Sequence, residues 1–507
     1  KIQENPYRLC HDMHGVGFKT ADQLALSLGF EKNNSFRLTS GTLHALNEYT
    51  QAGHSAIEEG QLIEKAAELL ETSNETIHTT LTNMLQENKL SNDYIQGQKI
   101  IYLNHLYQAE VYIAEKINNL LHSPSHLPEA HQLQDKLNSI EKNIGYQLSS
   151  SQHSALKTIL SHKVSILTGG PGVGKTTLVK SVTQILSKAH VIISIMAPTG
   201  RAANRLQEST SMQAKTIHRS LIVDPISKKF QHNHSNPLKT EYCIIDESSM
   251  LDIQLFAQLL SALPAYCGLL LVGDIDQLPS VGPGTILKDL IDFKRIPTIA
   301  LSEIFRQAQT STIVQYSHLV RKAKTPDFSY DKNALQDCYF LDIDSEEKFH
   351  STLTQLLLKR IPERFGISNP HDIQILCPMR KGPYGTERLN KQIQQLLNSK
   401  AKTTLKHGIT EYKEGDKVMQ LRNNYDKDVF NGDIGIIKQI NKEEQYISIY
   451  FEDKYVNYYL DELEEITLAY AMTIHKSQGS EFPVVIMPLF TSHYMMLQRN
   501  LVYTGMT

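Results

Sequence analysis

The stretch Val164-Ser-Ile-Leu-Thr-Gly-Gly-Pro-Gly-Val-Gly-Lys-Thr-Thr177 constrains this chain more than any other. Its apolar, β-branched opening from Val164 to Leu167 reads as a buried strand. The glycines at 169, 170, 172 and 174 let the loop take positive φ, and a helix is expected from Thr176 onward. Gly169, four residues, then Gly174-Lys175-Thr176 is the spacing of a P-loop. In such a loop the backbone amides of Gly170, Gly172, Gly174, Thr176 and Thr177 wrap phosphate oxygens, Lys175 reaches the β and γ phosphates, and the Thr176 hydroxyl ligates Mg²⁺. Strand, loop and helix in that order belong to an α/β fold.

A P-loop needs a carboxylate for its metal, and Tyr242-Cys-Ile-Ile-Asp-Glu-Ser-Ser supplies one at the end of another strand-like run. Asp246 is expected to hold the Mg²⁺ through water, and Glu247 to orient and deprotonate an attacking water. Ahead of the P-loop strand, Gln152 opens a helix where a side-chain amide suits an adenine edge, with one donor and one acceptor. Val191 to Met196 reads as a buried strand ending in Ala197-Pro-Thr-Gly-Arg-Ala-Ala203. Thr199, Arg201 and Arg205 at its edge suit a backbone phosphate in the crevice where α/β sheets bind ligands. Thr216 and His218 follow as further candidates for contact with DNA. A core strand at Gly268 to Asp274 then leads to Gln277, which can touch a γ-phosphate on one side and nucleic acid on the other. Arg306, in Glu303-Ile-Phe-Arg-Gln307, is placed to contact the γ-phosphate across a cleft.

At 507 residues the chain is long enough for several domains, and 40% hydrophobic with 21% charged residues is a globular composition. No apolar run approaches the roughly 20 residues of a membrane span. Five scattered cysteines without any Cys-x-x-Cys indicate neither a disulfide framework nor a zinc site, which fits a reducing cytoplasm. With a net charge of −3, any binding of nucleic acid is expected in a local groove rather than over the whole surface. Lys1 and Thr507 read as cuts within a longer protein.

Residues 1–120 read as a mainly helical N-terminal region. Short helices flank Gly15-Val16-Gly17, a helix-hairpin-helix pattern whose exposed amides can hold a DNA phosphate, and Lys99 to Leu103 reads as a strand of a small winged module. The stretch 121–144 reads as a linker broken by prolines, with solvated histidines. Between 223 and 240, turn residues predict a protruding hairpin with His232 and His234 at its solvated tip. Alternating apolar runs around Asn431-Gly432 predict a small β-barrel of hairpins at 401–465.

The P-loop, Ala-Pro-Thr-Gly-Arg-Ala-Ala, Asp-Glu-Ser-Ser-Met, Gly-Asp-x-x-Gln-Leu-Pro-Ser-Val-Gly-Pro-Gly and Glu-Ile-Phe-Arg-Gln, in that order, resemble the RecD-like DNA helicases of superfamily one. The resemblance continues through Ile375-Leu-Cys-Pro-Met-Arg-Lys-Gly and Asn431-Gly-Asp-Ile-Gly to Ala471-Met-Thr-Ile-His-Lys-Ser-Gln-Gly-Ser-Glu-Phe482. Asn5-Pro-Tyr-Arg and Gly15-Val-Gly-Phe-Lys-Thr-Ala-Asp resemble the long, stand-alone bacterial branch. The family implies two RecA-like domains with parallel sheets facing across an ATP cleft, here 145–330 and 335–400 plus 466–507, with an SH3-like insert. It implies ATP and Mg²⁺ as cofactors, and single-stranded DNA and duplex junctions as partners. Thr473, His475, Lys476, Ser477 and Gln478 match its motif for the DNA backbone and ATP coupling.

The resulting expectation is an ATP-driven DNA translocase and helicase moving 5′ to 3′ in repair or recombination, with the 223–240 hairpin as a candidate splitting pin. A DNA-junction binding module with a decayed ATPase and a helicase subunit of a nuclease complex are the alternatives. The resemblance also implies an arginine just beyond Thr507. Without that cation the 507 residues alone are expected to bind ATP and single-stranded DNA yet hydrolyse ATP slowly.

Overall fold

In a computed structural model of the protein, residues 4–12, 16–124, 148–224, 227, 229–303, 310–328, 336–401, 403–424, 426–451 and 454–507 are described. Gly15, Arg306, residues 125–144 of the expected linker and part of the expected 223–240 hairpin lie outside them.

In the N-terminal region, Asn5 caps the turn Pro6–Arg8 and a helix spans Phe18–Ser27. Tyr7 donates to Asp22 at 2.7 Å, and Arg37 donates to the same half-buried carboxylate at 2.9 Å, so this triad staples the first turns to the helix Ser35–Gln51. Three antiparallel strands, β1 (Ala56–Glu58), β2 (Leu90–Ile95) and β3 (Gln98–Leu103), form a sheet in the order β1-β3-β2. Gln96 and Gly97 both take positive φ between β2 and β3, the geometry of a tight hairpin whose twist matches its strands. As expected of a winged module, β3 runs straight into a helix, Asn104–His122. That helix leaves the N-terminal region: Ile113, Ile117 and Leu120 enter the core of the next domain beside Phe256 and Leu259.

The next domain is a six-stranded parallel sheet of β4 (Val164–Gly169), β5 (Ile193–Ala197), β6 (Ala214–Thr216), β7 (Tyr242–Ile245), β8 (Gly268–Gly273) and β9 (Thr298–Leu301), in the order β6-β5-β7-β8-β4-β9. Its central strands are buried on both faces, and their side chains alternate between two cores. Cys243, Ile245, Leu269 and Leu271 face one, while Tyr242, Ile244, Leu270 and Val272 face the other. Gly268 is required by this packing, because a Cβ there would lie 2.3 Å from the Tyr242 ring.

A smaller parallel sheet follows, with β10 (Ile373–Cys377) between β18 (Ala471–Thr473) and β19 (Val484–Ile486). Between β10 and β18 the chain makes a hairpin, β11 (Thr404–His407) with β12 (Thr410–Lys413), and a five-stranded antiparallel sheet. Its strands β13 (Lys417–Gln420), β14 (Ile434–Asn441), β15 (Tyr446–Phe451), β16 (Lys454–Tyr459) and β17 (Ile466–Leu468) run in the order β16-β15-β14-β13-β17. The insert shares one core with the domain that carries it, since Val418, Ile437 and Ile449 cluster with Ile375 and Leu389.

At 223–240 the described residues form two isolated antiparallel bridges, Val223 with Phe230 and Asn233 with Asn236, rather than a paired ladder. Asn233 and Asn236 spend their side-chain amides on the carbonyls of Phe230 and Gln231, and such local bonds compete with strand pairing. No helix among the described residues is long and apolar enough to cross a membrane.

Candidate active site

The carboxyl-terminal edges of β4, β7 and β8 meet at one crevice. β4 ends at Gly169, and the loop reaches the helix Lys175–Lys188 through left-handed backbone at Gly172 and Gly174, with φ of 70° and 84°. This conformation is open to glycine and turns successive amides toward one concavity. The Lys175 ammonium donates to the carbonyls of Gly169 and Gly170, at 2.9 Å to the latter. Thr176 is exposed and Thr177 half-buried at the start of the helix.

Asp246 follows β7, and its carboxylate accepts from the Glu247 amide at 2.9 Å. Glu247 itself sits at φ 51°, ψ 39°, a left-handed conformation that is uncommon for a residue with a side chain and that turns it away from the strand direction. Burial pushes both acids up. For Glu247, burial and then the neighbouring Asp246 charge raise the carboxyl to about 7, against the pull of Arg205 and Lys175. Asp246 is raised by burial despite the Glu247 amide, Arg205 and Lys175. A third acid, Asp274, follows β8; it is 2% exposed and raised by burial, with Lys175 as its main counter-charge.

The second domain closes the crevice. Tyr503, on the terminal helix Arg499–Met506, donates to Asp274 at 2.7 Å, and the Thr504 hydroxyl accepts from the Leu278 amide at 2.8 Å. Gln277 donates to the Thr507 hydroxyl at 3.3 Å. Arg205 lies 2.8 Å from Glu481 and 3.5 Å from Glu247, so one guanidinium bridges the two domains.

The expected DNA-facing residues divide into two sets. Thr199 caps the helix Gly200–Thr210, and a Cβ on Gly479 of the second domain would come within 3.0 Å of its hydroxyl. Arg201 stacks on the Phe482 ring at 5.3 Å, while Lys476 is half-buried and donates to Asn431 at 2.8 Å. Thr473 and His475 are half-buried beside it. Thr216, by contrast, is 5% exposed and caps the helix Ile217–Leu221, so it is turned inward rather than toward a phosphate at the surface. His218 is half-buried near Phe230, and burial disfavours its charged form. Ser477 is buried with its hydroxyl on the Ile474 carbonyl, and Gln478 is buried and donates to the Leu278 carbonyl at 2.8 Å. Gly17 is exposed, and a Cβ there would meet nothing within 4 Å. Gln152 is 2% exposed, and its oxygen accepts from the Ser149 amide in a capping box, so the acceptor expected for adenine is engaged inside the chain.

Asp274, Tyr503, Thr504 and Glu481 join the site without a sequence motif of phosphate or DNA chemistry that marks them individually. For Asp274 a signal existed, an acid closing a fully apolar strand next to the P-loop strand.

Four family models match in chain order. They are the ATP-dependent RecD2 DNA helicase HHH domain at 1–56, an AAA domain at 152–283, the ATP-dependent RecD-like DNA helicase SH3 domain at 389–451 and the UvrD-like helicase C-terminal domain at 468–507. Over 506 residues the chain is 33% identical to the ATP-dependent RecD2 DNA helicase of Deinococcus radiodurans, covering 98% of this chain and 67% of that protein. The chain belongs to the RecD2-like DNA helicases of superfamily one. The RecD2-like assignment extends to the insert, where the hairpin β11–β12 and the strands β13, β14 and β15 fall within the SH3 match and β16 and β17 lie beyond it. The chain is also 28% identical over 488 residues to the RecBCD enzyme subunit RecD of Buchnera aphidicola, covering 82% of this chain and 79% of that one. The crystal structure of the Pif1 helicase from Candida albicans aligns at 20% identity and a TM-score of 0.43, over 71% of this chain and 92% of that one.

Proposed function

We propose that this chain is a motor that hydrolyses ATP to move along single-stranded DNA and separate duplexes, 5′ to 3′, in the cytoplasm and in the service of repair or recombination. The observation that carries this reading is the crevice: Lys175, Asp246, Glu247 and Asp274 converge at one sheet edge, and the second domain touches that edge through Tyr503, Thr504 and Gln478. A nucleotide bound there lies between two bodies, so binding and release can change their separation.

In this reading Lys175 neutralises the β and γ phosphates, which requires its ammonium to leave the Gly169 and Gly170 carbonyls. Glu247, with its carboxyl near 7, accepts the proton of the attacking water. Thr176, at the start of the helix after the loop, and Asp246, just after β7, carry the hydroxyl and carboxylate oxygens that suit a hard divalent cation, so these two residues would hold Mg²⁺, which would supply charge neutralisation at the phosphates. Gln277 senses the γ-phosphate, and Arg306 is assigned the cation across the cleft. Thr199, Arg201, Thr473, His475 and Lys476 are assigned to the DNA backbone, and Gly15 and Gly17 to a phosphate of a duplex junction. The ATPase domain is taken as 145–330, the second domain as 335–400 with 466–507, and the insert as 401–465.

Separating a duplex opposes stacking of about 1.4 kcal/mol per base-pair step, small enough for one nucleotide cycle to drive a step. The test is ATP turnover with and without single-stranded DNA in the parent chain and in Lys175→Ala. DNA-stimulated turnover that vanishes in the variant supports the reading, and turnover indifferent to DNA or to Lys175 overturns it.

A further inference from the structure

We infer that Tyr503 is a positioning residue that ties the filling of the phosphate loop to the second domain's grip on DNA, through its simultaneous contacts with Gly170 and Asp274. This inference rests on the reading of the loop as the ATP site. Tyr503 is fully buried on the helix Arg499–Met506, and its hydroxyl donates to Asp274 at 2.7 Å. Asp274 directly follows β8, whose Gly273 is in register with Thr168 of β4, one residue before the loop begins. The same hydroxyl abuts the loop: a Cβ built on Gly170 would lie 2.9 Å from the Tyr503 oxygen and 3.4 Å from His318 Cε1. The second domain therefore rests on the peptide whose carbonyl holds the Lys175 ammonium.

Two further contacts extend the link. Thr504, next on the helix, takes the Leu278 amide at 2.8 Å, and Gln478 gives its amide to the Leu278 carbonyl at 2.8 Å. Gln478 lies two residues from Lys476, which faces the proposed DNA path. From phosphate loop to DNA-facing lysine the route is thus Gly170, Tyr503 with Asp274, Thr504, Leu278, Gln478 and Lys476. Every step is a hydrogen bond, a close packing contact or a few bonds along the chain. When phosphate draws Lys175 off the Gly170 carbonyl, the peptide under Tyr503 loses its partner. Any rotation there presses on a side chain that interior packing leaves no room to absorb locally.

The test is an equilibrium one. Affinity for a fluorescent oligothymidylate is measured with and without a non-hydrolysable ATP analogue and Mg²⁺. In the parent the analogue shifts DNA affinity by about 5-fold or more, the usual range for coupled sites. Tyr503→Phe keeps the ring and loses the hydroxyl, and a thermal melt establishes that it folds. It should bind each ligand alone while the shift falls to about one. A second arm keeps the inference falsifiable should that variant not fold. Gly170→Ala weakens analogue binding by placing its Cβ against the Tyr503 hydroxyl. Tyr503→Leu in the Gly170→Ala background removes that hydroxyl and restores part of the binding. A parent-sized shift in Tyr503→Phe, or a Gly170→Ala defect that no change at 503 relieves, overturns the inference. A parent that binds neither ligand contradicts the proposed function itself, whereas a parent that binds both with no shift contradicts only the role of Tyr503.

Discussion

Arg205 of the ATPase domain and Glu481 of the second domain form an ion pair of 2.8 Å across the crevice, while the other amino group of Arg205 stands 3.5 Å from Glu247. Glu481 is two-thirds exposed, so the pair itself adds little stability. Its consequence is positional, since a guanidinium beside the proposed general base is shared with the opposite domain.

Glu247→Gln should retain ATP binding, because Lys175, Thr176 and Asp246 are untouched. It should lose about 10² to 10⁴ in DNA-stimulated turnover, the usual contribution of a positioned base. Fluorescent-nucleotide titration beside steady-state hydrolysis checks both halves. Loss of binding would contradict the division of roles between Asp246 and Glu247.

Single-stranded DNA affinity should fall steeply with salt and vary little with sequence, because the assigned contacts go to phosphates. Lys476→Ala should reduce the slope of log K against log salt by about 0.7, the value for one contact on a single strand. Titrations at several salt concentrations measure it, and a slope equal to the parent's would remove Lys476 from the channel.

Lys417 gives a pH-dependent stability. It is 3% exposed, its ammonium donates to the His371 carbonyl at 2.6 Å, and burial, aided by Arg201 and opposed by Asp372, lowers it to about 7 from 10.5. Between those values the unfolded chain holds more protons than the folded one, so this residue's contribution to stability rises as pH goes from about 7 toward 10 and is flat below. Lys417→Met should flatten that part of the Tm against pH curve and raise Tm at pH 7 relative to the parent. Parallel curves for the two proteins would show that Lys417 is not buried in this way.

The P-loop, the strand before Asp246 and the strand before Asp274 were legible because strand burial and glycine spacing are local properties. The strand β3 leading into a helix was legible for the same reason. Tyr503 with Asp274 and Thr504 with Leu278 were not, as 229 and 226 residues separate the partners and neither member is unusual alone. Thr216, Ser477 and Gln478 show a different limit. Residue type and motif position mark them as polar contacts, yet the side chains turn inward: Thr216 caps a short helix, Ser477 donates to the Ile474 carbonyl and Gln478 holds the Leu278 carbonyl. Gln152 has the donor and acceptor of a ligand group, whereas Ser149 three residues earlier makes it the second half of a capping box.

Strand displacement on duplexes carrying either a 5′ or a 3′ single-stranded overhang, with and without ATP, tests the central claim most directly. The account predicts ATP-dependent release of the strand from the 5′-tailed duplex, little from the 3′-tailed one, and none from either with Lys175→Ala. Release that needs no ATP, or that runs only from the 3′ tail, would contradict it.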